Sequence, residues 1–317
     1  LTYLVPTVFI LASADRPTAM SLTLVCRASH QWVLPVLYHS VELSTPSAIE
    51  KFHSANDTYT TDTTRVSLVC NLWIGPICET MDTLLLYGST YWPIAIIDRI
   101  LWTCTNVQHL YIINLGQSEW YRLEHFIPAS VEHIHLGPVH GGFVLRNLLR
   151  RPRIRTFTSA LSFMRGDEVR DLVMSPDLRY FRRIMTVHPL ATIPTAMLGQ
   201  LACVADSKSF EKMEFVFCGP AEKGEKLLRS FKECMKEHTR DPRVTAVRSE
   251  ETDWVVFLHK EFLQIKADYV GAYLRVAREA CSLVNMCCRI IDRHLGICGV
   301  MQLKRRDSHG LQQTEVY

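Results

Sequence analysis

The chain has 317 residues, of which 48% are hydrophobic and 21% charged, and its formal charge is +3. That composition excludes a disordered tail, provides apolar side chains for a substantial core, and is too near charge balance for a general nucleic-acid binder. A membrane-spanning helix is excluded as well, because the best apolar stretch, 269–295, carries Arg275, Arg278, Glu279, Arg289, Asp292 and Arg293.

The chain opens on Leu1 instead of methionine and reads as a fragment. Leu1 to Ala14 is apolar and Ala12-Ser13-Ala14 looks like a signal-peptidase site, but the basic region such peptides carry is missing. Eleven cysteines, spread from Cys26 to Cys298 without paired spacing, point to reduced and mostly buried thiols in the cytoplasm or nucleus. The sequon Asn56-Asp57-Thr58 is too common by chance to argue for secretion.

In chain order, Ser21 to Leu43 reads as a helix with a strand-like exit, and the polar stretch Ser54 to Thr64 reads as a loop. Val66, Leu68, Cys70 and Leu72 alternate as a half-buried strand would. A hydrophobic triplet of spacing h-x-x-h-x-h follows: Met81, Leu84 and Leu86, then Val107, Leu110 and Ile112, then Val131, Ile134 and Leu136. Two copies are broken, Ile154 and Phe157 with Ser159 in the last slot, and Leu178 and Phe181 with Arg183 there. Phe210, Met213 and Phe215 restore it. The interval is 23 to 26 residues, with 32 before the last copy, in the range of leucine-rich repeats.

The segments between triplets suit short helices at Trp92 to Thr103, Glu119 to Phe126, Phe143 to Leu149, Asp167 to Met174 and Pro194 to Ala205. Each unit is then a strand plus a helix that buries its apolar face only against its neighbours. Gly116, Gly137 and Gly219 fall where strands make sharp exits. Beyond Phe215 the pattern predicts a charged helix from Glu222 to His238, strands at Val244 to Val247 and Trp254 to Leu258, and one or two helices from about Lys260 to Leu295. From Lys304 the chain is polar and frayed.

Few constellations could carry chemistry. Gly219 to Gly224 resembles a phosphate loop, but Glu225 replaces the required lysine and would repel phosphate. His133 and His135 share a strand face beside Glu132 and His140, which could seat a metal, although solvated residues on an exposed face explain the pattern as well. Cys281, Cys287, Cys288, His294 and Cys298 lack zinc-ligand spacing and read as buried helix cysteines. Arg146, Arg150, Arg151, Arg153 and Arg155 form a basic run without interleaved aromatics, so it reads as a solvated loop. No nucleophile elbow or metalloprotease helix is present, and the expectation is no catalytic residue, no cofactor and no metal.

Ser21-Leu22-Thr23-Leu24-Val25-Cys26-Arg27, continued through Trp32, Leu34-Pro35, Leu37-Tyr38, Val41 and Leu43, resembles the second half of an F-box as found in fungal F-box and leucine-rich-repeat proteins. Cys104-Thr105-Asn106-Val107 is placed like that family's C-P-N-L entrance to a strand. Ser29 stands where the family has tryptophan, and its first-half helix is not recognisable among Leu1 to Met20. The resemblance implies an adaptor dock for the Skp-type subunit of SCF ubiquitin ligases, contacted by Leu24, Val25, Cys26 and Arg27, with Leu34, Leu37 and Tyr38 packing the join to the repeats. A helical cap over the first repeat is the alternative role of the same segment.

The predicted fold class is α/β: an irregular leucine-rich-repeat-like solenoid with a parallel sheet, an N-terminal helical F-box-like remnant and C-terminal helices. The units expected are 1–45 as remnant or cap, 64–258 as the array, and 259–317 as a helical segment and tail. Contacts to an unknown protein substrate are expected from exposed strand positions: His109, Tyr111, His133, His135, Thr156, Thr158, Tyr180, Arg182, Lys212 and Glu214. The function expected is that of a substrate receptor of an SCF-type ligase, with an interaction scaffold unconnected with ubiquitin as the alternative and no nucleic-acid or membrane partner.

Overall fold

A computed structural model of the chain describes residues 9, 16–56, 65–78, 93–114, 120–137, 144–162, 164–186, 195–272 and 275. Helices α1 (Arg16–Thr23) and α2 (Arg27–His39) open the described chain. Cys26 caps α2: the Ser29 amide donates to its sulfur, and the Ser29 hydroxyl accepts from the Cys26 amide at 3.1 Å. That hydroxyl also donates to the Leu22 carbonyl at 2.8 Å, which ties the end of α1 to the start of α2. Pro35 lies inside α2, so the Gln31 carbonyl lacks its usual helical donor.

The chain leaves α2 directly into β1 (Ser40–Leu43), and seven more strands follow: β2 (Asn71–Ile74), β3 (His109–Ile113), β4 (His133–Gly137), β5 (Thr156–Ala160), β6 (Tyr180–Thr186), β7 (Lys212–Cys218) and β8 (Val244–Arg248). They form one eight-stranded sheet whose spatial order equals chain order, and every pair is parallel. Each connection therefore crosses over to the strand next door. Helices α3 (Pro46–Ala55), α4 (Ile94–Thr103), α5 (Trp120–Leu123), α6 (Gly166–Val173) and α7 (Ala221–His238) fill these crossovers with shorter helical turns between Thr195 and Asp206.

Register aligns the triplets. Leu110, Ile134, Phe157, Phe181 and Met213 stand side by side across β3 to β7, and they share one buried cluster with Ile97, Leu101, Leu172 and Phe231 of the crossover helices. The same spacing also runs through Tyr38, Val41 and Leu43 at β1 and through Val69, Leu72 and Ile74 at β2. The alternating strand expected over Val66 to Leu72 is thus a 3-10 turn at Val66–Leu68 followed by β2. Met81, Leu84 and Leu86 lie outside the described residues; β2 bonds directly to β3. The sheet begins at Ser40, inside the segment expected to be separate from the array.

The two broken triplets mark buried polar groups. Arg183 is 2% exposed; its guanidinium donates to Gln200 Oε1 at 2.7 Å and to the Ser162 carbonyl at 3.1 Å, while Gln200 donates to the Met164 carbonyl. Burial pushes Arg183 down to about 10. The longer last step is tied in by Arg243, whose guanidinium donates to the carbonyls of Val204, Ser207 and Phe210 and pairs with Asp241 at 2.6 Å.

Trp254 to Leu258, expected as a strand, begins helix α8 at 254–272. Trp254, Val255, Leu258 and Phe262 fall on one face, and that face packs on the side of the sheet opposite the crossover helices, in a second buried cluster with Trp73, Tyr111, Ile113, Ala160, Ile184 and Val216. The helix therefore joins the fold across the boundary expected near 259.

Candidate functional site

Parallel in-register pairing stacks like positions into rows across the sheet face that α8 meets. One row runs Ser40, Asn71, His109, His133, Thr156, Tyr180, Lys212, and the next runs Glu42, Trp73, Tyr111, His135, Thr158, Arg182, Glu214. These rows contain all ten side chains expected to face a ligand.

The second row is closed by α8. Tyr111, His135, Thr158 and Arg182 are buried rather than exposed, because the helix lies over them. Gly137 lets it approach: a Cβ there would stand 2.7 Å from the Trp254 ring and 2.8 Å from Ala160 Cβ. Arg182 forms a two-pronged ion pair with Glu261 of α8, both bonds at 2.5 Å, and lies 5.2 Å from the Phe257 ring centre. His259 Nε2 lies 3.0 Å from Glu42 on β1. Trp73 packs against both His259 and Phe262. Tyr111 and His135 stack at 4.0 Å, and burial holds His135 well below its ordinary pKa, so it is neutral. His135 Nδ1, Thr158 Oγ1 and Arg182 Nε, on three adjacent strands, have no hydrogen-bond partner among the described residues.

From His109 to Lys212 the first row is half-buried, while Ser40 and Asn71 are buried. His109 and His133 stack at 4.1 Å, and Tyr180 donates to Glu214, which also accepts from Lys212 at 2.7 Å. Burial raises the Tyr180 phenol, and its bond to Glu214 adds to this; burial also works to raise Glu214, but the bonds from Lys212 and Tyr180 outweigh it and leave that carboxyl below its usual range. His39, stacked on Tyr269 at 3.3 Å, and His109 are each pushed down to about 4, in both cases chiefly by burial. His133 is lowered for the same reason.

His39 and His109 bind fewer protons folded than unfolded between pH 6.5 and 4. Their contribution to stability is present above 6.5 and is lost as pH falls toward 4. With both groups partly exposed, His39 and His109 are each expected to remove on the order of 1 kcal/mol between pH 7 and 5. Urea unfolding at the two pH values measures it; a flat profile, or one unchanged by His109→Gln, contradicts it.

The expected adaptor residues sit together at the tip of the α1 and α2 pair. Leu24 is 86% exposed and Val25 62%, and Met20 nearby is 55% exposed. Two turn bonds, Leu24 N to Ser21 O and Val25 N to Leu22 O, hold that loop. Cys26 and Arg27 are exposed beside them, and bonds with Ser29 keep the Cys26 thiol below its usual pKa. Leu34, Leu37 and Tyr38 are half-buried, and Tyr38 packs on Phe52 and the main core.

Among the described residues no group of three His, Cys, Asp or Glu side chains is placed to hold a metal. Of the described cysteines, all free, Cys104 and Cys218 are buried, while Cys26 and Cys78 are exposed; the C-terminal cysteine cluster lies outside the described residues. No described helix is long and apolar enough to cross a membrane. Sequence reasoning missed Glu261, His259 and Trp73, the groups that seat α8. The spacing of Trp254, Val255, Leu258 and Phe262 was the available signal.

These features define an α/β protein with one all-parallel sheet, covered by crossover helices on one face and by α8 on the other. No protein-family model matches the chain, and no curated protein matches it by sequence.

Proposed function

We propose that the protein is a binding module that presents other proteins to an SCF-type ubiquitin ligase, with an F-box-like dock at α1 and α2 followed by an irregular leucine-rich-repeat-like solenoid. One observation carries this reading: Leu24 and Val25, in the segment that resembles an F-box, project into solvent at a capped turn. Large apolar side chains that exposed, beside a third at Met20, mark a surface for a partner. The resemblance supplies that partner's identity, a Skp-type adaptor.

The solenoid reading rests on the triplet spacing and on strands that pair in chain order. Substrate contacts fall to the half-exposed row of His109, His133, Thr156, Tyr180 and Lys212, because α8 occupies Tyr111, His135, Thr158 and Arg182. The adaptor places the protein in the cytoplasm or nucleus. A scaffold without a ubiquitin role is the second reading, favoured by the direct run of α2 into β1, which suits a cap over the sheet's end.

Co-expression with a Skp-type adaptor tests the first. The full chain is expected to co-purify with it, and Leu24→Asp with Val25→Asp is expected to weaken binding at least about tenfold, since each buried aliphatic side chain is worth roughly 1.5–3 kcal/mol. Both positions are exposed, so the melting temperature should not move. A folded chain that ignores the adaptor leaves the scaffold reading.

A further inference from the structure

β1 ends the sheet, with no described strand beyond it, and a groove of about 500 Å³ runs along that edge. The groove touches Ser40, Val41, Glu42 and Leu43 in succession. Neighbouring strand residues point to opposite faces, so a cavity in contact with all of them lies along the edge itself. Leu43 gives its carbonyl to Gly75 at the end of β2, and by the same alternation Ser40 turns its amide and carbonyl to the outer edge.

Met20 of α1 and Val36, Leu37 and Tyr38 of α2 line part of the groove, and two further helices wall it. On one side α3 contributes Ala48, Lys51, Phe52 and Ala55, one face of the helix at i, i+3, i+4, i+7 spacing, and on the other α8 contributes Phe262, Lys266 and Val270 at i, i+4, i+8. The lining is mostly apolar, with one lysine on each wall and Glu42 on β1, whose carboxylate lies 3.0 Å from His259 Nε2; neither lysine forms an ion pair among the described residues. A strand edge between two helices admits a chain in extended form, and four residues at about 3.3 Å rise match the length of β1. An added strand sends neighbouring side chains to opposite walls, so two adjacent acidic residues would meet Lys51 and Lys266, whereas a second copy of this chain would bring lysines against lysines.

We propose that this groove binds an extended segment of a partner protein, apolar except for a pair of adjacent acidic residues, as an added strand on β1. The groove shares Met20 with the exposed surface at Leu24 and Val25 but does not depend on the adaptor reading.

Fluorescence anisotropy with the full chain and a fluorescein-labelled hexapeptide of four valines flanking two adjacent central glutamates tests it. Saturable binding is expected, weakened at least about tenfold by Lys51→Glu with Lys266→Glu, which turns attraction into repulsion at both walls. The same variant should prefer the hexapeptide in which lysine replaces glutamate. Ala48→Trp, which fills the groove without touching either lysine, should also abolish binding at an unchanged melting temperature. The proposal is overturned by no binding at millimolar peptide, by equal binding of a peptide N-methylated at alternate amides, or by sedimentation showing that two copies associate through this edge.

Discussion

Truncating Trp254 to alanine is expected to destabilise the protein by about 3–5 kcal/mol, the largest effect of any single substitution considered. The indole is 1% exposed and lies against Gly137 and Ala160 in the cluster between α8 and the sheet. Its removal leaves a cavity that the strands, locked by parallel pairing on both sides, have little freedom to close. Trp254→Phe should cost far less, because the indole N–H has no hydrogen-bond partner and its loss relieves a buried unsatisfied donor. Urea unfolding of the three proteins measures this; a cost below about 1 kcal/mol for Trp254→Ala would show that α8 does not hold the sheet face.

Glu261→Ala should cost about 3 kcal/mol, at the low end for a broken buried ion pair because Glu261 is itself partly exposed. The loss comes mainly from Arg182, whose side chain is 7% exposed and would keep its charge without the carboxylate that neutralises it. Replacing both residues with methionine should recover most of that loss, since no charge then remains to desolvate. If the double variant is no more stable than Glu261→Ala, the stranded charge is not the cause.

Five of the six triplets named from sequence fall where strands β3 to β7 form, because each supplies the apolar residues that meet the crossover helices. Val69, Leu72 and Ile74 at β2 share the h-x-x-h-x-h form but sit in a stretch that reads as a simple alternation, and the sixth triplet, Met81, Leu84 and Leu86, lies outside the described residues. Ser159 and Arg183 read as interruptions, yet both are buried, and Arg183 is satisfied by Gln200 and the Ser162 carbonyl, partners that no local pattern reveals.

The least legible element was α8. Trp254 to Leu258 is rich in residues of high strand propensity, and the helix forms there because one face at 3.6-residue spacing can seal the sheet. That choice alters the candidate site. Alternation correctly placed the ten side chains from His109 to Glu214 on one face, but face does not determine exposure, and the covering helix comes from a distant part of the chain. By contrast, the exposure of Leu24, Val25, Cys26 and Arg27 follows from a turn between two adjacent helices, a local feature.

Hydrogen exchange of the full chain with and without a Skp-type adaptor tests the central claim most directly. Slowed exchange confined to the segment around residues 20–27, with β4 to β6 unchanged, is the expected result. Unchanged exchange at that turn in the presence of saturating adaptor, or protection centred on the sheet, would contradict it.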